Sequence, residues 1–291
     1  VSIYGNGGMN TQYSEPVFYA GKTGVDLTQV FLNTAFAYKF ADNTQVGVAP
    51  ILALQTFEAN GLGAFGQNGF SQDANKLTNN GQDTVFGYGA RIGIAHQINS
   101  NVHLGASYQS KIEFERFEKY EGLFAEKGDM DVPSTYNLGI AFDNKDFTVA
   151  LDYQVINYSE TASIANPLMP NLMTAPLGSD KGAGFGWNDM EIIKLGGALK
   201  RNNGDVIRAG VSYGEQPIDS SEVLFNILAP GVQEWHFTAG YEFGDVESRY
   251  SVAVSYSPSK SVKSKNPMYR SQDQYIEIEM EQYEVTFAAA F

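Results

Sequence analysis

His236 and Ser255 are the side-chain types that nucleophilic catalysis needs, and they lie on neighbouring segments of the chain. If the short connection at 244–247 sets the pairing of these segments, His236 faces Ser255. A serine nucleophile also needs a third group that orients the histidine, and the sequence indicates none. The alternative is a hydrogen-bonded polar pair, which we favour. We therefore expect no catalytic residues and no enzyme activity.

Four basic residues fall inside strand-like segments and could hold an anionic ligand: Arg91, Lys111, Lys194 and Arg208. They could equally be paired with neighbouring carboxylates. The chain has 0 Cys, which excludes zinc–thiolate sites and cysteine nucleophiles. Its formal net charge of -14 argues against a nucleic-acid partner. We expect no metal site and no cofactor.

Large apolar side chains occur in the polar-looking segments 58–83, 116–131 and 159–186. Water gives no reason to place them there, so they either bind a hydrophobic ligand or pack the segments together. Both functions can hold at once. Met169, Leu172 and Met173 of the third segment could cover a mouth. The predicted binding residues are Phe57, Leu62, Phe65, Phe70, Phe117, Tyr120, Leu123, Phe124 and Phe185.

Apolar and polar residues alternate with a period of two along most of the chain, which predicts β-strands. Trp235, Phe237 and Tyr241, for example, oppose His236 and Glu242. Charged residues on the second face are unfavourable in a soluble sandwich but suit a water-filled barrel lumen. The pattern predicts about twelve strands. They span 1–8, 27–40, 45–57, 84–98, 101–115, 132–143, 146–158, 187–200, 205–214, 234–243, 248–257 and 281–291.

The connections between these segments alternate strictly between short and long. The short ones are 41–44, 99–101, 143–145, 202–205 and 244–247, and the long ones are 9–26, 58–83, 116–131, 159–186, 215–233 and 258–280. Short periplasmic turns and long extracellular loops are typical of an outer-membrane barrel, whereas a soluble sandwich has no reason to alternate them. We therefore predict an all-β fold, a transmembrane antiparallel up-and-down barrel forming one domain over 1–291 in the bacterial outer membrane.

Aromatic residues at the strand ends predict the two interfacial girdles of such a barrel. The row at the short turns is Tyr38, Phe40, Phe142, Phe147, Tyr241, Phe243 and Tyr250. The row at the long loops is Tyr108, Tyr153, Tyr158, Tyr213 and Tyr256.

The last strand alternates Tyr283, Val285 and Phe287 with polar or small residues, and the chain stops at Phe291. Taken alone, it could be the edge strand of a soluble sandwich. A final strand ending in Phe resembles the assembly signal of Gram-negative outer-membrane barrels. That resemblance implies that Tyr283, Phe287 and Phe291 contact the barrel assembly machinery.

The segment Gly210–Phe243 resembles the FadL-type outer-membrane channels for fatty acids and other hydrophobic compounds, chiefly through its proline-containing stretch Leu228–Trp235. Val252–Lys263, Gly105–Glu115 and Val132–Phe142 resemble further segments of that family. The resemblance implies a barrel of fourteen strands with an N-terminal hatch. The predicted strands match the third to the fourteenth, so we expect the hatch, the first two strands and the natural N-terminus to be missing here.

The resemblance also implies where cargo leaves. In the family the third strand is kinked and opens a hole in the barrel wall, and Val1–Gln12 matches that strand. Gly5, Asn6, Gly7 and Gly8 suit such a lateral opening, because glycine weakens strand pairing. The alternative is an ordinary β-bulge. The segments 58–83 and 116–131 match two loops that form a greasy groove outside the barrel.

Family members that carry fatty acids hold the carboxylate with cations at two places that match Thr56–Asn60 and Ala183–Gly186. Neither stretch contains a cation here, and the nearest is Lys181. We therefore expect neutral hydrophobic cargo and passive outer-membrane transport with lateral release. The alternative is a structural, adhesive or partner-docking barrel without transport. The expected partners are hydrophobic cargo, outer-membrane lipid and lipopolysaccharide, and the expected state is a monomer.

Overall fold

The structure, a computed structural model, describes residues 1–18, 20–245, 248–268 and 273–290. It confirms the predicted all-β barrel, a 14-stranded antiparallel sheet. The strands are β1 (Ser2–Gln12), β2 (Gly24–Asn33), β3 (Phe36–Ala41), β4 (Thr44–Asn60), β5 (Asp83–Gln97), β6 (Val102–Gln109), β7 (Glu113–Phe114), β8 (Thr135–Asp143), β9 (Phe147–Ile156), β10 (Met190–Lys200), β11 (Val206–Gly214), β12 (Trp235–Gly244), β13 (Arg249–Lys265) and β14 (Tyr275–Ala290).

Helices are confined to the long connections. They are α1 (Ala125–Gly128), α2 (Ala162–Ala165), α3 (Asn171–Thr174) and α4 (Val223–Asn226), with 3₁₀ turns at Gly63–Gly66, Ala74–Lys76, Glu118–Tyr120, Tyr158–Glu160 and Ser220–Glu222. No helix in the described part of the chain has the length and apolar character needed to cross a membrane.

The strands pair in the order β1-β2-β4-β5-β6-β8-β9-β10-β11-β12-β13-β14, so each strand of this path falls within or overlaps one predicted span. β3 pairs with β4, and β7 pairs with β5, as continuations of β2 and β6. Two predicted strands, 27–40 and 101–115, are therefore each divided in two. Within the described residues, β1 and β14 are the two edges of the sheet.

Pro50 explains the division between β2 and β3. Asn33 lies opposite Ile51 and Phe36 lies opposite Val48, so Thr34 falls opposite Pro50. The amide of Thr34 donates to the Pro50 carbonyl at 3.2 Å. Proline has no N–H with which to return that bond, so the ladder is interrupted there.

Ser110 marks the division between β6 and β7. Gln109 is opposite Arg91, but Phe114 is opposite Gly87, so the chain between them holds one extra residue relative to β5. The Ser110 hydroxyl accepts a hydrogen bond from the Ala90 amide at 3.1 Å in place of a backbone carbonyl. The bulge reverses the side-chain direction, so that the Phe114 ring is buried over Gly87.

The two faces of the sheet differ as predicted. On β14, Tyr283, Val285 and Phe287 are 70%, 59% and 78% exposed on the outer face, where lipid would cover them. On the lumen face, Glu242 forms ion pairs with Arg208 at 2.6 Å and with Arg249 at 2.8 Å.

The aromatic rows lie at the strand ends as predicted, with two exceptions. Tyr256 lies in the middle of β13, because that strand continues to Lys265. Tyr158 is not in a girdle, because its ring packs edge-on against Trp187 at 5.0 Å between centroids. Phe291 of the predicted assembly signal lies outside the described residues.

The predicted long connection at 258–280 is wrong, since β13 continues to Lys265 and β14 begins at Tyr275. A bulge between Ser257 and Lys260 shifts the register of β13 by one residue. Such a shift moves the following side chains to the opposite face. Above the bulge, Val262 is therefore buried on the inner side and 9% exposed. Ile278 of β14 lies opposite Val262 and is 5% exposed.

Candidate functional site

The long connections 61–82, 115–134, 157–189 and 215–234 fold together over one end of the barrel, and we call them the cap. The main hydrophobic core of the protein lies here, below and between these connections. The predicted binding residues Phe57, Leu62, Phe65, Phe117, Tyr120, Phe124 and Phe185 are all at most 8% exposed. Phe70 and Leu123 pack against them, partly buried. These residues are brought together, but inside the cap and not along an exposed external groove.

Phe57 lies near the end of β4 that meets the cap, and it joins the barrel wall to the cap. Its ring lies 4.7 Å from Phe124, 4.8 Å from Tyr120 and 5.6 Å from Phe117, measured between centroids. The tilted and edge-on arrangements are the ones that aromatic pairs prefer. The cap is therefore anchored on a strand of the wall by a compact aromatic cluster.

The Tyr120 hydroxyl provides a polar link at the same place. It accepts a hydrogen bond from the Ala59 amide at 3.0 Å and donates one to the Gly81 carbonyl at 2.8 Å. Burial of the side chain raises the pKa of Tyr120 above its usual value of 10.0. Tyr120 thus ties the end of β4 to the connection 61–82.

Backbone and amide hydrogen bonds hold three cap connections to one another. The Gln72 side-chain amide donates to the Gly178 carbonyl at 2.6 Å and to the Glu121 carbonyl at 3.2 Å. The Leu177 amide donates to the Phe70 carbonyl at 2.7 Å. The cap is therefore a folded unit and not a set of independent loops.

A small cavity of about 30 Å³ lies inside the cap, and we call it the cap cavity. Six predicted residues line it: Phe57, Leu62, Phe65, Leu123, Phe124 and Phe185. The lining that the sequence reasoning missed is Met9, Val25, Ser163, Leu177, Ala183, Gly184, Phe225 and Leu228. Ser163 is the single polar side chain in this lining. A cavity of about 150 Å³ can bind benzene, so in this conformation the cap cavity is too small for an aromatic hydrocarbon.

A second cavity of about 850 Å³ lies beneath the cap, and we call it the lumen cavity. Its apolar lining includes Leu27, Met130, Ile156, Ile164 and Trp187, and its polar lining includes Gln29, Arg91, Gln109, Asn137 and Gln154. The lumen cavity is bordered on one side by three residues of β1, namely Asn6, Gly7 and Gly8. Met9 and Phe185 line both the lumen cavity and the cap cavity.

The predicted lateral-opening residues form a bulge in β1. Gly5 is opposite Val30 and Gly7 is opposite Gln29, so Asn6 is the extra residue. The Asn6 side-chain amide donates to the Gln29 side chain at 3.2 Å. Pairing with β2 continues on both sides of the bulge, so β1 is not separated from β2 here.

A sequence profile of the outer membrane protein transport family (OMPP1/FadL/TodX) matches residues 1–290. The chain belongs to this family. It is therefore an outer-membrane transport protein of a family that handles hydrophobic compounds, and it is located in the bacterial outer membrane. No curated protein sequence matches the chain.

Solved structures of the FadL/TodX family share the fold. The Pseudomonas putida toluene transporter TodX is 17% identical with a TM-score of 0.67, over 99% of this chain and 77% of TodX. The Ralstonia pickettii toluene transporter TbuX is 15% identical with a TM-score of 0.61, over 98% of this chain and 75% of TbuX. A Pseudomonas aeruginosa FadL homologue is 13% identical with a TM-score of 0.63, over 99% of this chain and 72% of the homologue.

The four basic residues considered for anion binding in this FadL/TodX family member have polar partners. Lys111 pairs with Asp131 at 2.7 Å, and Arg208 pairs with Glu242. Lys194 donates to the Gln154 side chain at 2.6 Å, and Arg91 donates to the Gln109 side chain at 2.6 Å. Of the four, only Arg91 lines the lumen cavity, and none lines the cap cavity. Lys181 is exposed.

The predicted facing of His236 and Ser255 is wrong. Thr238 is opposite Ser255, so the two residues are out of register by two positions. β12 continues to Gly244 and β13 begins at Arg249, which places the turn one residue later than predicted. Within the described residues, no group of three His, Cys, Asp or Glu side chains is arranged to hold a metal ion.

Asp129 is the cap residue whose ionisation is most altered. Burial, and secondly the neighbouring carboxylate of Asp131, raise the pKa of Asp129 from 3.8 to about 6. Lys111 and Arg116 oppose this rise, while Glu126 adds to it. The charged form of Asp129, which predominates near neutral pH, therefore destabilises the cap relative to the protonated form.

Proposed function

We propose that this FadL/TodX family member passively carries neutral hydrophobic small molecules across the lipopolysaccharide layer and releases them sideways into the outer membrane. Cargo enters through the cap, crosses the lumen cavity and leaves beside β1. The observation that carries the proposal is the reach of the lumen cavity, which extends from Phe185 and Trp187 under the cap to Gly7 and Gly8 in the wall.

The lining of the cap cavity favours neutral cargo. Its side chains are apolar except for Ser163, whose hydroxyl already donates to the Asp129 carbonyl. A carboxylate placed there would lose its hydration without gaining a cation, which is strongly unfavourable. An aromatic or aliphatic hydrocarbon has no such cost.

The free energy for lateral release comes from the cargo itself. Moving from water into an apolar phase is favourable by about 0.8 kcal/mol per CH₂ group. Release into the periplasm would forfeit that gain, whereas release between wall strands into lipid retains it. No external energy source is required.

The bulge in β1 is the proposed exit, because this stretch combines three glycines with an extra residue. At Gly7 an added Cβ would lie 3.1 Å from the Gln29 side-chain oxygen, so a valine there would displace Gln29 and its bond to Asn6. At Gly8 an added Cβ would lie 3.4 Å from the Leu27 carbonyl oxygen. Replacing both glycines therefore fills the cavity border and stiffens the strand.

The test compares uptake by the wild type and by the double variant Gly7→Val, Gly8→Val in vesicles whose outer leaflet contains lipopolysaccharide. Toluene is the first probe, since the names of TodX and TbuX give it as their cargo. We expect the double variant to fold. Its toluene uptake should be close to that of protein-free vesicles. Gly105→Val is the matched control, because an added Cβ at this glycine meets nothing within 4 Å. If the folded double variant takes up toluene at the wild-type rate, lateral release beside β1 is wrong.

A further inference from the structure

Met9 and Phe185 form the partition between the cap cavity and the lumen cavity, since both side chains line both spaces. Met9 comes from the barrel wall, three residues after the extra residue of the β1 bulge, and Phe185 comes from the cap connection 157–189. Phe185 is 8% exposed, so its ring is enclosed by other side chains. A molecule moving between the cavities at this shared border passes these two side chains.

The backbone on which the Phe185 ring is mounted is held rigidly. The Asn226 side-chain amide donates to the Phe185 carbonyl at 2.7 Å, and Asn226 itself is 0% exposed. The Phe185 amide donates to the Ser163 carbonyl at 3.3 Å. Asn226 in turn accepts a hydrogen bond from the Trp187 indole at 2.6 Å. Motion of the whole segment would break this network.

Two glycines keep the segment in close contact with its surroundings. An added Cβ at Gly184 would lie 2.6 Å from the Ser163 carbonyl oxygen. Gly186 has a φ of +67°, and an added Cβ there would collide with the Glu222 carboxylate. The backbone on either side of Phe185 is therefore packed without space to shift, which leaves side-chain rotation as the available movement.

We infer that Phe185 and Met9 are the size-selecting gate of this channel, opened by rotation of their side chains about a fixed backbone. This inference rests on the proposed transport function and specifies how it selects cargo. Methionine has three rotatable bonds and a polarizable thioether, so Met9 yields readily to molecules of different shape. The phenyl ring of Phe185 is bulkier and has fewer rotamers, so it sets the width of the passage.

The volumes of the two cavities support a bottleneck at this point. The lumen cavity of about 850 Å³ has room for a bicyclic hydrocarbon without rearrangement, whereas the cap cavity of about 30 Å³ does not. A narrow molecule needs a small rotation of the ring, and a wider molecule needs a larger one. Uptake should therefore fall as the cargo widens, and Phe185 should determine how steeply.

The first experiment measures uptake of toluene and naphthalene by vesicles containing the wild type, Phe185→Ala or Met9→Ala. For Phe185→Ala we expect the naphthalene-to-toluene rate ratio to rise by roughly tenfold, the discrimination that about one methylene of space gives in an apolar pocket. Met9→Ala should raise the ratio less. Phe31→Ala is the matched control, because Phe31 is a buried phenylalanine that lines neither the cap cavity nor the lumen cavity. It should leave the ratio unchanged.

A second experiment uses the absence of cysteine from the chain. Phe185→Cys introduces a single thiol, and a benzyl thiosulfonate reagent then attaches a ring of similar size through a disulfide. In that exchange the thiolate attacks the reagent, a sulfinate leaves, and a reductant later restores the thiol. The same protein sample should lose size selectivity as the free thiol, regain it when modified, and lose it again on reduction.

The outcomes separate the gate from the proposed function. A wild type that carries neither hydrocarbon would overturn the transport proposal and the gate with it. A wild type that carries toluene, with the same rate ratio in Phe185→Ala and in both forms of Phe185→Cys, would overturn the gate alone. If Phe185→Ala does not fold, Phe185→Leu and the reversible cysteine modification still decide the matter, because both retain more of the side-chain volume.

Discussion

Tyr120→Phe removes one oxygen atom from the cap and leaves the ring in place. The lost hydroxyl bridges the Ala59 amide and the Gly81 carbonyl, and Tyr120 is 0% exposed. Ala59 is also 0% exposed, so water does not replace the missing acceptor without a local opening of the structure. The substitution therefore separates the polar link from the aromatic packing against Phe57.

The expected cost follows from the orphaned donor. Leaving a buried N–H without an acceptor costs about 1–3 kcal/mol. The ring stays against Phe57 at 4.8 Å, so no cavity cost is added beyond the hydroxyl itself. A loss of about 2 kcal/mol corresponds to a roughly 30-fold larger opening constant for the cap, since about 1.4 kcal/mol is a factor of ten.

Amide hydrogen exchange measured by mass spectrometry would report this change locally. Peptides covering 57–62 and 78–82 should exchange roughly 30-fold faster in Tyr120→Phe, whereas peptides from β11 and β12 should be unaffected. Tyr158→Phe is the control, since Tyr158 is a partly buried cap tyrosine whose ring packs on Trp187 and whose hydroxyl makes no hydrogen bond with a described residue. Toluene uptake should not fall in Tyr120→Phe, because Tyr120 does not line either cavity.

Two results would refute this reasoning. Unchanged exchange at 57–62 would mean that the Ala59 amide finds another partner and that the hydroxyl does not join wall and cap. Equally faster exchange in β11 and β12 would mean that the cap and the barrel open together and not as separate units.

The membrane-spanning part of the fold could be predicted because lipid and lumen impose opposite requirements on successive residues. On β12 and β13, Phe237 lies opposite Tyr256 and Ala239 opposite Val254, so the outward residues of both strands follow the predicted alternation. Each strand carries this information in its own sequence, without knowledge of its neighbours. Strand existence and face were accordingly predictable, and strand ends less so.

The cap-side ends of β13 and β14 lie in a predicted connection and not in predicted strands. The stretch Tyr275–Met280 alternates as regularly as any other, but its apolar residues Ile276 and Ile278 point inward to the cap, and its outward residues Glu277 and Glu279 are charged. The predicted connection 258–280 covers this stretch. Pro258 lies within the bulge of β13, where the face of that strand changes, and it is the signal that could have indicated the reversal.

The cap cavity could be predicted only in part, since it depends on which connections meet. Leu62, Phe65 and Phe124 stood out because they are apolar residues in polar surroundings. Met9 and Phe225 did not, because they belong to the predicted connections 9–26 and 215–233, which were not singled out for their apolar residues. Met9 and Phe185 are far apart in sequence, and no local sequence pattern indicates that both lie between the two cavities.

Two further predictions concern ionisation and orientation. Because the folded state holds the pKa of Asp129 at about 6, above its usual 3.8, folding is favoured by protonation and cap stability should rise as the pH falls through about 6. Between about pH 7.5 and about pH 5 the gain should be on the order of 1 kcal/mol, less than the full shift because solvent screens this partly buried group. It should appear as larger exchange protection factors in 115–134, after correction for the intrinsic pH dependence of amide exchange, and be lost in Asp129→Asn. Protection factors in 115–134 that do not change with pH would contradict this. Val254 and Ser255 test the orientation of the wall, since Val254 is 48% exposed on the outer face and Ser255 lies on the lumen face opposite Glu284. Val254→Lys should lower the free energy of unfolding in lipid by about 2–4 kcal/mol, the cost of a lysine on the lipid face near the bilayer midplane. Ser255→Lys should cost much less, because its amine enters a hydrated lumen beside a carboxylate. Denaturant unfolding in bilayers measures both, and equal losses would mean that the outer face of β13 is not in contact with lipid.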